Sequence, residues 1–192
     1  MRVYKVTVIG TGYVGLVTSA CLAEIGHQVM GLDIDGGKIS QLKNGQIPIY
    51  EPGLADLVKR NLGTRLFFTT SYEEAVPWAD IVFIAVGTPD DGNGEVELKY
   101  LWESAATLVP LVNKPTVLVV KSTVPVGLCD ELEEWLHHRL EEQHGPSGRS
   151  LVSVVSNPEF LREGRAVGDF LRADRVVIGG FDEAVVGMVK EL

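Results

Sequence analysis

A glycine-rich turn near the amino terminus constrains this chain more than any other feature. The β-branched run 6–9 leads directly into Gly10, Gly12 and Gly15 in the spacing G-x-G-x-x-G, and a helical pattern follows. Gly10 permits a tight turn, Gly12 lets another group approach the backbone, and Gly15 lets the helix pack closely on the strand. The order strand, turn, helix predicts the first unit of a doubly wound α/β domain with a phosphate site at the helix amino end.

An acidic residue at the end of the next predicted strand extends this motif. Asp33 closes the run 28–33, where a carboxylate accepts hydrogen bonds from the adenosine ribose of a dinucleotide. Its charge repels a 2′-phosphate, so the sequence predicts NAD and not NADP as the cofactor. A turn that merely packs a helix on a sheet is the alternative, and the combination of strand, turn, helix and acid argues against it.

The rest of the chain repeats the alternation of short strands and helices, which is typical of a parallel sheet covered on both faces. We therefore predict a Rossmann-like, doubly wound, mostly parallel α/β fold. The predicted strands are 5–10, 28–33, 65–69, 81–86, 116–121, 151–156 and 175–178. The predicted helices are 13–25, 38–43, 52–61, 98–112 and 126–142. The polar, breaker-rich segment 143–148 predicts a surface loop.

Composition narrows the class of protein. The chain has 192 residues, of which 45% are hydrophobic, enough for a domain with a proper core. Its net charge is −9 and no basic stripe is present in the sequence, so we expect no nucleic-acid partner. No apolar run suits a signal peptide or a membrane span, so we expect a soluble, cytoplasmic protein with no membrane partner.

The cysteines and histidines form no metal-binding pattern. Cys21 and Cys129 lie far apart, and we interpret both as packing or surface residues. The adjacent His137 and His138 point in different directions on a helix. Together with His144 they are better explained as a solvated helix end than as metal ligands, and we expect no metal.

Three further segments follow predicted strands, at the edge where open α/β sheets bind their ligands. They are residues 86–89, 121–125 and 156–160. Taken singly, Thr88 and Ser122 are explained as caps of the helices after them. Glu159 is harder to explain that way, because a carboxylate beside a proline and an apolar pair can lie partly desolvated near a cofactor.

Through these segments and the glycine motif, the chain resembles the NAD-binding domain of the UDP-glucose/GDP-mannose dehydrogenase family. The matching motifs are collinear and span nearly the whole sequence. They are residues 10–16, 33–35 with 38, 44–45, 48–54, 86–89, 121–127, 156–164 with 166, and 174–179.

The resemblance implies a two-step oxidation of a sugar C6 hydroxyl to a carboxylate with two NAD. It implies that Thr123 and Glu159 hold and activate the water of the later steps, and these are the candidate catalytic residues. Together with the glycine motif, it assigns NAD binding to Gly10, Gly12, Tyr13, Val14, Gly15, Asp33, Lys38, Thr88, Thr123 and Glu159. It assigns the nucleotide-sugar site to Glu159, Phe160, Leu161, Arg162 and Glu163.

The resemblance also implies parts that these residues do not include. The family's nucleophilic cysteine belongs to a middle helix and a carboxyl-terminal domain, and neither Cys21 nor Cys129 matches its motif. We therefore expect residues 1–181 to form the NAD-binding domain and 182–192 to begin the connecting helix, with an exposed apolar face. We expect the chain alone to be catalytically incomplete and the full-length protein to be a homodimer.

Two alternatives remain open at this point. Tyr50 and Asn157 favour UDP-glucose as the substrate over GDP-mannose or UDP-N-acetylmannosamine, but the sugar-recognising contacts are expected largely outside these residues. The second alternative is a stand-alone, non-catalytic NAD-binding module.

Overall fold

The fold is built on one sheet, described for residues 2–90, 92, 94 and 96–192 of a computed structural model. Its strands are β1 Lys5–Ile9, β2 Gln28–Leu32, β3 Leu66–Thr69, β4 Ile81–Ile84, β5 Thr116–Val120 and β6 Val152–Ser156. The order across the sheet is β3-β2-β1-β4-β5-β6, and every neighbouring pair is parallel. The predicted doubly wound α/β fold is thus confirmed.

Helices connect successive strands and cover both faces of the sheet. In the described part they are α1 Tyr13–Ile25, α2 Gly36–Lys43, α3 Leu54–Asn61, α4 Tyr72–Trp78, α5 Lys99–Leu108, α6 Leu128–His144, α7 Ala166–Leu171 and α8 Glu183–Lys190. Short 3₁₀ helices occupy Val109–Leu111 and Gly145–Ser150. None of the helices in the described ranges is long and apolar enough to cross a membrane.

Successive side chains of a strand point to opposite faces of the sheet, and each face packs against helices to form one of two core layers. Val6 and Val8 of β1 enter the layer formed with α1, α3, α7 and α8, whereas Ile9 enters the layer formed with α4, α5 and α6. In α6 the leucines at helical spacing, among them Leu132 and Leu136, are buried and form the packing face of the helix. Since β2 and β4 flank β1 on opposite sides, the turn after β1 lies at the switch point of the sheet, where such folds bind ligands.

Two predictions about the chain's second half were wrong. Residues 175–178 form no strand; the segment joins the sheet through a single antiparallel bridge between Gly179 and Ser156. The side chains of Val176 and Val177 are exposed, so this β-branched run lacks the burial that a central strand provides. The predicted loop 143–148 is instead the end of α6 followed by a 3₁₀ helix.

Two short helices were missed. Helix α4 begins at the N-cap Ser71, whose side chain accepts a hydrogen bond from the Glu74 N–H at 3.0 Å, and the S-x-x-E spacing of Ser71 and Glu74 is a helix-start signal readable from sequence. Pro77 in its last turn and a length of seven residues hide it from a search for periodicity. Helix α7 has only six residues.

The final helix packs differently from our expectation. In α8, Val189 is buried, and Val185, Met188 and Leu192 pack against the core layer of α1. The exposed apolar face expected for 182–192 is therefore a wrong prediction, because the helix folds back on its own domain.

Candidate functional site

The glycine turn after β1 has a geometry that other residues do not tolerate. Gly10 has φ +96°, and a Cβ added there would lie 2.6 Å from the carbonyl oxygen of Ala85. A Cβ at Gly15 would lie 1.9 Å from the Gly10 carbonyl oxygen. These contacts confirm that the turn is tight and that α1 packs closely on the strand ends.

Gly12 is different, because it faces open space. Among the residues that the structure describes, a Cβ at this exposed position would meet no atom within 4 Å. Gly12 is also the N-cap of α1, and no side chain of the described residues caps that helix. The backbone N–H groups of its first turn therefore remain available to an anion, and the helix dipole favours one there. This cradle fits the pyrophosphate of a dinucleotide.

Asp33, just after β2, is held in place by the turn and by Lys38. Its Oδ2 accepts hydrogen bonds from the N–H and hydroxyl of Thr11 at 2.9 and 2.7 Å, and from Lys38 Nζ at 2.8 Å. Its Oδ1 accepts the N–H of Asp35 at 3.0 Å. Burial raises the pKa of Asp33, but these hydrogen bonds outweigh burial and leave the pKa below its ordinary value. Asp33 is therefore an ionised acceptor beside the glycine turn.

A cleft of about 740 Å³ opens between the glycine turn, Asp33 and helix α5, within the size range of ligand pockets. Its polar lining includes Tyr72, Tyr100 and Ser104, which were not predicted. The lining residues are Ile9, Gly10, Gly12, Asp33, Ile34, Lys38, Tyr72, Ala85, Val86, Gly87, Tyr100, Glu103, Ser104, Ala106 and Thr107.

The three predicted ligand loops meet at the carboxyl ends of β4, β5 and β6. The Ser122 hydroxyl donates to the Val86 carbonyl at 2.7 Å, so it joins two loops and does not cap a helix. The N–H of Asn157 donates to the carbonyl of Val120 at 2.9 Å. In the described part of the chain, the first helix after Thr88 is α5, which begins at Lys99. The cap interpretation therefore fails for both Thr88 and Ser122.

The candidate catalytic side chains lie on these loops. Thr123 is exposed and follows β5, while Glu159 is half-buried and follows β6. Glu159 Oε2 accepts the N–H of Leu161 at 2.5 Å, so its carboxylate is turned toward its own loop.

The candidate substrate residues after Glu159 form a continuous surface. Phe160 is 49% exposed and lies under the guanidinium of Arg175, at 5.3 Å from the ring centroid. Arg162 pairs with Asp169 through two side-chain bonds of 2.6 and 3.0 Å, and Glu163 is exposed. The guanidinium of Arg162 is thus occupied within the protein.

Glu51 is the important residue that the sequence did not single out. It is 5% exposed and accepts the Tyr13 hydroxyl at Oε2, together with the N–H groups of Gly164 at 2.8 Å and Ala166 at 2.9 Å. Burial and the Glu51 carboxylate raise the pKa of Tyr13 to about 12. Glu51 therefore ties the first residue of α1 to the segment that follows the candidate substrate residues. The sequence pattern that could have identified Glu51 is a single acidic residue among apolar and proline residues in the run 48–54.

Neither cysteine is placed for nucleophilic chemistry at this site. Cys21 is buried in α1, and burial raises the pKa of its thiol to about 12. Burial also raises the pKa of Cys129. Across the part of the chain that the structure describes, no three His, Cys, Asp or Glu side chains group as metal ligands would.

The switch-point turn, the open Gly12 cradle and the ionised Asp33 together define a dinucleotide-binding domain. Residues 4–192 match the model of the UDP-glucose/GDP-mannose dehydrogenase family, NAD binding domain. The chain belongs to this family, and its cofactor is NAD.

Individual proteins and solved structures are also similar to this chain. UDP-glucose 6-dehydrogenase YwqF of Bacillus subtilis is 47% identical over 189 residues, which cover 98% of this chain and 42% of that protein. The structure of a UDP-glucose dehydrogenase from Pyrobaculum islandicum superposes with a TM-score of 0.88 at 39% identity, covering 98% of this chain and 43% of the other. GDP-mannose dehydrogenase from Pseudomonas aeruginosa gives a TM-score of 0.87 at 33% identity, with 97% and 43% covered. The chain thus spans about two fifths of the length of these proteins.

Proposed function

We propose that this chain is the cofactor-binding part of a nucleotide-sugar 6-dehydrogenase with UDP-glucose as its substrate. The overall reaction converts UDP-glucose, two NAD and water to UDP-glucuronate and two NADH, with release of protons. The observation that carries the proposal is the meeting of the loops after β4, β5 and β6, where the Ser122 hydroxyl joins the β5 loop to Val86, a residue that lines the dinucleotide cleft. Relatives named for UDP-glucose, such as the Bacillus protein, support the choice of sugar.

Bound NAD supplies a hydride acceptor for carbon 6 in each oxidation. The glycine turn, Gly10 to Gly15, holds the pyrophosphate through main-chain groups. Tyr13 and Val14 take part through their N–H groups, because the Tyr13 hydroxyl is bound to Glu51. Asp33 accepts the adenosine ribose hydroxyls, and Lys38 fixes the Asp33 carboxylate.

The remaining NAD contacts are proposed for Thr88, Thr123 and Glu159. Thr123 and Glu159 also hold the water of the later steps, with Glu159 as the base that takes its proton. To act in this way, Glu159 must release the N–H of Leu161 and turn toward the cleft.

The nucleotide sugar is proposed to lie along Phe160, Leu161, Arg162 and Glu163, next to Glu159. Phe160 offers an exposed ring, and Arg162 is held in one orientation by Asp169. Glu51 keeps this segment close to α1 through Gly164.

NADH formation by the whole gene product tests the substrate. UDP-glucose is expected to give the highest kcat/KM when it is compared with GDP-mannose and UDP-N-acetylmannosamine. A higher value for either other sugar contradicts the choice of UDP-glucose. Expressed alone, the 192-residue chain is expected to bind NAD and form no NADH, because Cys21 and Cys129 are not placed to act as nucleophiles. Turnover by the chain alone contradicts that part.

A stand-alone NAD-binding module is the second candidate, favoured by the inert positions of both cysteines. The reading frame beyond Leu192 separates the two candidates. An in-frame extension with a cysteine in a glycine-rich segment supports the dehydrogenase, and a stop codon supports the module. A domain boundary at residue 181, a cytoplasmic location and a homodimer of the full-length protein belong to the dehydrogenase proposal. Gel filtration with light scattering tests the dimer.

A further inference from the structure

We propose that Lys121 is a positioning residue that joins the loop of Thr123 to the loop of Glu159 by holding Asn157. The inference rests on the proposed function for the roles of Thr123 and Glu159. The connection between Lys121 and Asn157 is a separate structural claim about this chain.

Lys121 is the first residue after β5, and its ammonium is turned into the protein. Its N–H donates to the Ile84 carbonyl at 2.9 Å, which fixes its backbone at the sheet edge. The residue is 5% exposed, and Nζ donates to Asn157 Oδ1 at 3.1 Å. Nζ also lies 5.7 Å from the centroid of the Phe170 ring in α7. A buried ammonium is costly unless it is paired, so the hydrogen bond from Nζ to Asn157 stabilises the charge of Lys121.

Asn157 spreads this contact to two other segments. Its N–H donates to Val120 at the end of β5, and its Nδ2 donates to the Val177 carbonyl at 2.8 Å. Asn157 is therefore fixed from three sides. Pro158 restricts the backbone between Asn157 and Glu159, so the orientation of the amide is passed on to the carboxylate. Thr123 lies two residues after Lys121 in the same loop. The Lys121 ammonium therefore contacts the loop of Glu159 through Asn157 while it belongs to the loop of Thr123.

The charges around Lys121 link it to Glu159. Burial lowers the pKa of Lys121 to about 8, and the Glu159 carboxylate opposes that shift. Asp169 and Arg175 line the same cavity of about 170 Å³. Asp169 is paired with Arg162, and Arg175 stacks on Phe160, so Glu159 is the carboxylate left to interact with the ammonium. Loss of the Lys121 proton would weaken both this attraction and the hold on Asn157.

Nuclear magnetic resonance of the 192-residue chain tests the structural claim without any assay of turnover. The side-chain amide signals of Asn157 are expected to shift with pH, with a midpoint near 8. The shift should vanish in Lys121→Met, which keeps an unbranched side chain in the cavity. Lys114→Gln is the matched control, because Lys114 lies near the other end of β5 and bonds to Asp80. Amide signals that do not titrate, or that titrate equally in Lys121→Met, overturn the claim.

Kinetics of the whole gene product test the catalytic consequence. Lys121→Met is expected to lower kcat about 100-fold, the scale of a misplaced catalytic group, with the KM for NAD changed less than about threefold. Lys121→Arg stays charged and should recover part of kcat while losing the fall in rate near pH 8. A change in KM with kcat unchanged in Lys121→Met contradicts the positioning role, and so does a pH profile of Lys121→Arg that matches the unmodified enzyme. If the unmodified enzyme oxidises no nucleotide sugar, the proposed function fails, while the resonance experiment still decides the Lys121 contact.

Discussion

Replacing Glu51 by alanine is the change whose effect can be worked out most fully from the structure. The carboxylate accepts hydrogen bonds from the Tyr13 hydroxyl and from the N–H groups of Gly164 and Ala166. In Glu51→Ala these donors lose an acceptor that is 5% exposed; the N–H of Ala166 is buried, whereas Tyr13 and Gly164 are partly open to solvent. Each unsatisfied buried donor costs about 1 to 3 kcal/mol. We therefore expect a loss of about 3 to 5 kcal/mol in the free energy of unfolding.

Thermal unfolding and urea titration followed by circular dichroism measure this loss. For a domain of this size, 1 kcal/mol corresponds to about 2 to 4 °C in Tm, so Tm should fall by about 6 to 20 °C. Glu51→Gln keeps the shape and one acceptor oxygen and should lose about half as much. Glu141→Ala, at an exposed position of α6, is the control and should change Tm by no more than a degree or two.

Tyrosine ionisation gives an independent readout of the same contact. The pKa of Tyr13, about 12 in the unmodified chain, should move part of the way toward its ordinary value in Glu51→Gln, because burial remains and the carboxylate is gone. An alkaline ultraviolet titration, with Tyr13→Phe to identify the signal, measures the shift. A Glu51→Ala chain within about 1 kcal/mol of the unmodified chain would refute the reasoning.

Three further outcomes follow from the site and the core. Gly15→Ala should destabilise the fold and abolish NAD binding, whereas Gly12→Ala should keep Tm and weaken NAD binding about tenfold or more in calorimetry, since its Cβ meets only open space. Asp33→Ala should weaken NAD binding and reduce the preference over NADP, because the ribose acceptor is lost and Lys38 is left free to attract a 2′-phosphate; titration with both cofactors measures the ratio. Burial lowers the pKa of His27 from 6.5, and the Leu192 backbone opposes this shift. The contribution of neutral His27 to the free energy of unfolding is therefore fully present above pH 6.5 and declines as the pH falls below that value. Tm should decline in the same pH range, and His27→Gln should make Tm less dependent on pH.

Most of the fold could be predicted from sequence because local patterns and tertiary burial agree there. All six strands of the sheet and the first helix lie where β-branched runs and helical spacing placed them. The prediction of a strand at 175–178 was wrong because the run has the composition of a strand but does not pair as one in the sheet. Composition alone does not show that its side chains are exposed. Helices α4 and α7 are too short to show a clear period.

Some residues of the candidate site could be predicted from the sequence and others could not. Gly10, Gly15 and Asp33 were predictable because each is required by local geometry at a known place in the motif. Glu51 and Lys121 were not singled out, since their partners lie far along the chain and only the fold brings them together. The roles of Thr123, Glu159 and the residues to Glu163 remain predictions.

Calorimetric titration of the purified 192-residue chain with NAD tests the central claim most directly. We predict saturable binding of one NAD per chain, weakened in Gly12→Ala although that variant melts at the same temperature. No heat at millimolar NAD from a folded chain, or equal binding by Gly12→Ala, would contradict it.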